Sequence, residues 1–180
     1  MNCRRITTAA LAAALAFVGT PSITYASTAE PEPAPSTQCT IYISKNPAVD
    51  PESSCVQTSD MDLEKAQSAA DGTLLVAFHA DAGFGGTSAL IKGKDGPCDT
   101  EGYGLRDMGT LEGWYYTVDP VGMWTLQNAS SYRVFNGCNE TIMFTAGNYG
   151  GVSSGSRFGD QSSVGDPFND QIRSMLLKAG

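Results

Sequence analysis

Two short stretches with the same spacing of rings and glycine decide how this sequence is expected to fold. Residues 79–86 read HADAGFGG, and residues 144–151 read FTAGNYGG. In each stretch a ring residue is followed by four residues, a second ring, one more residue and a glycine. The spacing predicts two hairpins that fold back on their sheets, with the rings packed together and the glycine in a backbone conformation closed to other residues. These residues are His79, Phe84 and Gly86 in the first stretch, and Phe144, Tyr149 and Gly151 in the second.

Short runs rich in Val, Ile, Phe and Tyr surround both stretches, and clusters of Gly, Asn, Asp and Ser separate these runs, a pattern typical of many short strands. Each hairpin is also followed by a serine-containing segment. A doubled unit of this kind predicts an all-β sandwich or barrel after Gly72. We expect strands over 74–78, 88–91, 114–118, 132–135, 141–144, 153–158 and 171–177.

The doubled pattern resembles the Greek-key pair of the βγ-crystallins, and more narrowly the exported bacterial βγ-crystallin-like proteins grouped with the I36 peptidase inhibitors. The resemblance covers residues 74–177. It implies a βγ-crystallin-like double Greek-key sandwich over 74–178, with Greek key one at 74–134 and Greek key two at 135–178. His79 departs from the family, which prefers Tyr or Phe at that position.

The start of the chain has the pattern of an export signal over residues 1–26. Arg4 and Arg5 precede an apolar run at 9–18, and Thr24-Tyr25-Ala26 resembles a small-residue cleavage site. The apolar run is too short to span a bilayer. We therefore expect a secreted, extracellular protein without membrane insertion; whether it uses the general or the twin-arginine route stays open.

Two further segments precede the β region. Residues 27–38 are rich in Pro and Glu and predict an extended linker. Residues 39–73 predict a small strand-helix segment, with a strand at 40–44 and a helix that Ser59 or Asp60 caps and Gly72 ends. Cysteines flank the strand, so the segment is expected to be pinned by a disulfide.

Four cysteines remain after the export signal: Cys39, Cys55, Cys98 and Cys138. An even number in an oxidising compartment predicts two disulfides. Three pairings are open, and pairing 39 with 55 and 98 with 138 keeps each bridge within one zone of composition. The chain holds one histidine and no CxxC spacing, which disfavours a zinc site.

Charge and motif content favour a binding protein over an enzyme. The formal net charge is −8, which disfavours nucleic acid and anionic membranes as partners and predicts a monomer kept apart by self-repulsion. The single histidine, His79, falls at a packing position rather than in a catalytic one. No nucleophile, metalloprotease or nucleotide-binding motif occurs. We expect no catalytic residue and no cofactor.

The resemblance implies one metal site, a calcium site, and the residues at its positions are only partly kept. Family members bind calcium through the pattern Asn/Asp, Asn/Asp, x, x, Ser/Thr, Ser. The second copy keeps Asn169 and Asp170 but has Arg173 at the hydroxyl position, and arginine cannot offer a lone pair. The first copy keeps Ser130 and Ser131 but has Leu126 and Gln127 where Asn or Asp belong. A weak site at Asn169, Asp170 and Ser130 stays open, against a turn-forming role for the first two.

The Gly-rich stretch between Ile91 and Trp114 makes the first unit longer than the second and predicts an irregular loop. Tyr103, Leu105 and Arg106 are our candidates for an inhibitory anchor in that loop. The leading function, implied by the resemblance, is inhibition of a secreted peptidase. The alternative is an extracellular stress-protective, antimicrobial or calcium-binding structural module.

Overall fold

The structure is a computed structural model, and it describes residues 36–58, 71–116 and 124–180. The predicted export signal, nearly all of the linker and the helix expected from Ser59 or Asp60 lie outside the described residues. No helix in the described ranges is long and apolar enough to cross a membrane.

The first sheet has seven strands. Six of them follow the order β7-β6-β1-β4-β3-β8, and the seventh, β2, pairs with β1 off this path. All neighbours are antiparallel except β1 and β4, which run parallel. The strands are β1 Ser36–Ile43, β2 Glu52–Thr58, β3 Thr73–His79, β4 Ser88–Gly93, β6 Glu112–Tyr116, β7 Trp124–Thr125 and β8 Ser131–Val134.

The second sheet has five strands, in the order β10-β9-β12-β5, with β11 also paired to β9. Every pairing in it is antiparallel. Its strands are β5 Tyr103–Leu105, β9 Glu140–Ala146, β10 Gly150–Ser153, β11 Arg157–Phe158 and β12 Ser174–Lys178.

The two Greek keys, 74–134 and 135–178, each contribute a segment to the sheet of the other. β5 follows β4 in the chain but leaves the first sheet and pairs with β12 of the second. In return, Gln161 of the second unit forms a bridge to Tyr132 in β8 of the first. This reciprocal crossing makes each unit a four-segment Greek key, and it confirms the all-β, double Greek-key fold predicted from the sequence.

The core lies between the two sheets. Phe78 and Tyr132 from the first sheet pack edge to face, with ring centroids 5.9 Å apart. Met143 and Met175 of the second sheet are completely buried in the same cluster. The Tyr132 hydroxyl is paired with Thr141 Oγ1 at 2.5 Å, so the polar end of this buried ring is satisfied. Each such side chain contributes roughly 1.5–3 kcal/mol by leaving water.

The N-terminal strand belongs to the first sheet. β1 pairs in parallel with β4, and Ile41 and Ile43 are buried in the core. β1 begins at Ser36, within the predicted linker, and β2 lies between the predicted strand at 40–44 and the predicted helix, where no strand was expected. The division of the chain at residue 74 stays a prediction, but the sheet runs across it.

Two disulfides are present, as predicted, and they join Cys39 to Cys55 and Cys98 to Cys138. Cys39 and Cys55 lie directly opposite each other on β1 and β2, so their bridge closes that hairpin. On a chain-entropy estimate the two bridges contribute about 3 and about 4 kcal/mol. Two disulfides indicate an oxidising environment.

The single strand expected over 153–158 is wrong in detail. β10 ends at Ser153 and β11 begins at Arg157. Between them Gly155 has a φ of +65°, a left-handed conformation that interrupts an extended strand.

Candidate functional site

The two corners share one geometry. His79 and Phe84 meet edge to face with ring centroids 5.8 Å apart and planes at 69°. Phe144 and Tyr149 meet at 5.8 Å and 63°. The second ring of each pair lies in the left-handed region, with φ of 65° at Phe84 and 61° at Tyr149. A bulky residue rarely adopts this conformation, so the surroundings must hold it there.

The glycine after each second ring is required by its backbone and its neighbours. Gly86 and Gly151 have φ of +71° and +74°. A Cβ at Gly86 would lie 2.6 Å from an Asp81 carboxylate oxygen, and one at Gly151 would lie 2.6 Å from Thr145 Oγ1. Any other residue at either position would be strained.

A buried serine from the last strand of each unit holds each corner. Ser131 Oγ accepts the Phe84 N–H at 3.0 Å and donates to the Asp81 carbonyl at 2.6 Å. Ser174 Oγ accepts the Tyr149 N–H at 2.9 Å and donates to the Ala146 carbonyl at 2.7 Å. Sequence reasoning noted these serines in the repeated downstream segments and in the calcium pattern, but did not predict that they hold the corners.

The first corner buries a ring nitrogen that has no hydrogen-bond partner in the part of the chain that the structure describes. His79 is 3 % exposed, and its Nε2 has no hydrogen-bond partner among the described residues. The Arg133 guanidinium lies over the Phe84 ring, 4.4 Å from its centroid. Burial, and secondarily the Arg133 charge, lower the pKa of His79, although Asp160 acts in the opposite direction. His79 is therefore a packing residue at neutral pH.

The second corner instead reaches across to β5. The Tyr149 hydroxyl lies against Gly104 so closely that a Cβ at Gly104 would overlap it. Gly104 is paired with Leu176 of β12, which fixes its position. The absence of a side chain at Gly104 therefore makes room for Tyr149 in the second corner.

The prediction of an exposed anchor at Tyr103 and Leu105 is wrong. Both side chains are buried in β5, at 2 % and 0 % exposure, because this strand is the one exchanged into the second sheet. The Tyr103 hydroxyl donates to the Gly96 carbonyl at 2.7 Å. Arg106, which follows the strand, is exposed.

A groove runs beside β5 instead. Two pockets of about 210 and about 170 Å³ adjoin each other, since Ser44, Pro47 and Gly104 line both. One wall is the turn between β1 and β2, residues 44–51. The other wall is β5 with the residues around it, 101–111, and Tyr149 lines the groove beside Gly104. We call this the β5 groove.

The 44–51 wall is fastened to the loop after β4. Asp95 accepts hydrogen bonds from Ser44 Oγ at 2.7 Å and from the Lys45 N–H at 2.8 Å. The Lys45 ammonium forms an ion pair with Asp99 at 2.7 Å. These bonds lower the pKa of both carboxyls, the Ser44 hydroxyl acting most on Asp95 and the Lys45 ammonium most on Asp99. The wall is thus held in place by side chains.

Hydrogen bonds made by backbone groups hold the other wall in place. Asp99 also accepts the Glu101 and Gly102 N–H groups, at 3.1 and 3.0 Å. The Arg106 carbonyl accepts the Asn148 N–H at 2.8 Å, which ties this wall to the second corner. Each wall also adjoins a disulfide, because Cys39–Cys55 closes the hairpin of the first and Cys98 directly precedes Asp99.

The residues of the expected calcium site lie in turns. Asn169 Nδ2 donates to the Asp170 carboxylate at 2.9 Å, and Asp170 has a φ of 58°. The Ser130 carbonyl accepts the Val164 N–H at 2.8 Å, and Arg173 is exposed. Backbone bonds from Phe168 and Asn169 to Gly165 close the turn. The expected absence of a cofactor and the open alternative of a weak calcium site at these residues both stay predictions.

The topology and the paired corners define the chain as a disulfide-bonded, all-β double Greek-key protein. Among solved structures, it is similar to a βγ-crystallin domain from Flavobacterium johnsoniae, at 20% sequence identity and a TM-score of 0.39, over 59% of this chain and 96% of that domain. No family model matches the sequence, and no curated protein matches it.

Proposed function

We propose that this chain is an exported, non-catalytic protein that binds another protein, and that its target is a secreted peptidase, which it inhibits. One observation supports the binding role above others. Hydrogen bonds and an ion pair within the chain hold both walls of the β5 groove in place without a partner. The sequence resemblance supports the choice of a peptidase as target.

Fastened walls favour tight binding for a physical reason. A partner loses part of its binding free energy when loops must be ordered on association, at about 0.5–1.5 kcal/mol for each immobilised side chain. Here the Asp95 and Asp99 bonds hold the turn at 44–51, and the adjoining disulfides restrain both walls. The groove therefore offers a partner a surface that is already in its bound shape.

The sole histidine supports a role without catalysis. General acid-base catalysis near neutral pH most often uses histidine. His79 is buried beneath Phe84 and Arg133 in the first corner, so it cannot contact a substrate.

Titration of the mature protein against secreted metallo-, serine and cysteine peptidases tests the proposal. We expect stoichiometric loss of activity with one class. If no class loses activity at micromolar protein, the inhibitor function is wrong, and the alternative of a protective or structural extracellular module takes its place.

A matched pair of variants then locates the binding face. Thr110 lines the groove and is exposed, and Ser163 is exposed elsewhere. Thr110→Trp should fill the groove and weaken inhibition at least ten-fold, whereas Ser163→Trp should leave inhibition unchanged. If the two variants inhibit equally well, the groove is not part of the binding face.

A further inference from the structure

We propose that the β5 groove takes an extended, basic segment of the partner polypeptide, which adds to β5 as a further strand. This inference rests on the proposed function, because it takes the groove as the face that meets the target. Three features of the groove support it: an open strand edge, apolar side chains on the facing wall and a surplus of carboxylates.

The edge of β5 that faces the groove is open. β5 is the terminal strand of its sheet and pairs with β12, and no other described strand pairs with it. Gly102, Tyr103 and Gly104 line the groove at this edge. A strand edge offers a row of backbone donors and acceptors to an extended peptide, which gains affinity from main-chain hydrogen bonds.

The facing wall presents apolar side chains between its polar ones, and two of its residues have no backbone donor. Pro47 and Pro51 have no N–H to donate, and Val49 is 41 % exposed. With Ile43 and Leu111 they form the apolar part of the lining of the pocket of about 210 Å³. This pocket is large enough for one aliphatic side chain. An extended peptide directs its side chains out of the plane of its backbone, so one of them could enter the pocket.

Carboxylates outnumber free cations along the groove. Asp50, Glu101 and Asp107 line it, are exposed, and form no salt bridge within the described residues. Lys45 is neutralised by its ion pair with Asp99, which leaves Arg106 as the one unpaired cation of the lining. A partner segment with Lys or Arg flanking an aliphatic residue complements this charge, and an acidic segment does not.

Peptide binding tests the charge and the site together. The probes are an extended peptide of alternating Lys and Val, and a matched peptide of alternating Glu and Val, titrated calorimetrically into the folded chain. We expect the basic peptide to bind at least ten-fold more tightly. Asp50→Lys should weaken its binding about five-fold, as one exposed ion pair would. Asp166→Lys, a reversal at an exposed residue outside the groove, should not.

Backbone methylation tests the added strand. Alternate residues of an added strand direct their N–H groups toward β5, and the intervening ones direct them away. Two basic peptides, N-methylated on one or the other alternate set, should therefore differ, with one losing binding and one retaining it. Equal affinities of the two methylated peptides would overturn strand addition, and equal affinities of the Lys and Glu peptides would overturn the charge preference.

The outcomes separate this inference from the proposed function. Peptidase inhibition that Thr110→Trp abolishes, together with no binding of the basic peptide, would overturn the inference and leave the proposed function in place. Binding of the basic peptide without inhibition of any peptidase class would overturn the proposed function and leave the inference in place.

Discussion

The two corners have the same backbone frame and different polar side chains. Ring separations, glycine conformations and serine bonds agree closely between them. The first corner, however, encloses the unpartnered Nε2 of His79, whereas the second directs the Tyr149 hydroxyl to Gly104 beside the β5 groove. The fold therefore requires two rings, a glycine and a serine at each corner, and leaves the polar atoms of the rings free for other roles.

Removing either corner serine should have the largest effect. Ser131→Ala and Ser174→Ala each remove the hydrogen-bond partner of a part-buried N–H and of a carbonyl, at a cost of about 2 kcal/mol in the free energy of unfolding. Denaturant unfolding should give similar losses for the two variants. Ser162→Ala, at an exposed serine whose backbone carbonyl accepts the Gly83 N–H, is the control and should change stability by less than about 0.5 kcal/mol. A large loss in one corner alone would contradict their equivalence.

Gly104→Ala should affect the second corner and spare the first. The added methyl overlaps the Tyr149 hydroxyl, and such overpacking costs roughly 1–3 kcal/mol. Tyr149→Phe removes the overlapping oxygen and leaves the ring carbon 3.1 Å from the new methyl. The double variant should therefore recover much of the stability lost by Gly104→Ala. Simple addition of the two losses in a double-mutant cycle would contradict this contact.

His79 should make the first corner sensitive to acid. Because its folded-state pKa is lowered, the unfolded chain binds the proton more readily, so stability is complete above about pH 6.5 and decreases as the pH falls below that value. His79→Phe should remove this decrease between pH 7.5 and 5, measured by urea unfolding. Phe144→His should introduce a second one. An identical pH dependence of wild type and His79→Phe would contradict burial of the imidazole.

Calcium should have the smallest effect. Arg173 stands where a hydroxyl ligand is expected, so we expect no measurable rise in the melting temperature between chelator and calcium. Arg173→Ser tests whether the other residues of the second copy of the calcium pattern can bind the ion. A restored site would raise the melting temperature in calcium but not in chelator. A rise in the wild-type chain would show that the site is intact.

The corners could be predicted from sequence because everything that defines them is local. Two rings and a glycine at fixed spacing specify a folded hairpin whatever surrounds it. The disulfides followed from an even count of cysteines, although the count left three pairings open. The all-β class followed from the short runs of strand-forming residues.

The groove could not be predicted, because its walls are distant in sequence. Residues 44–51 and β5 meet only through the parallel pairing of β1 with β4 and the exchange of β5 into the second sheet. β5 has three residues with Gly104 at its centre, which reads as loop, so Tyr103 and Leu105 were mistaken for exposed residues. β2 was missed because Glu52–Thr58 is mostly polar and is held at the sheet edge by its pairing and its disulfide to β1.

Amide hydrogen exchange at Phe84 and Tyr149 tests the duplicated corner most directly. Both N–H groups donate to a buried serine, so we predict that both are strongly protected and exchange at similar rates in the native chain. Ser131→Ala should expose the first amide alone, and Ser174→Ala the second alone. Exchange of either wild-type amide at the rate of an exposed loop would contradict the paired corners and the fold built on them.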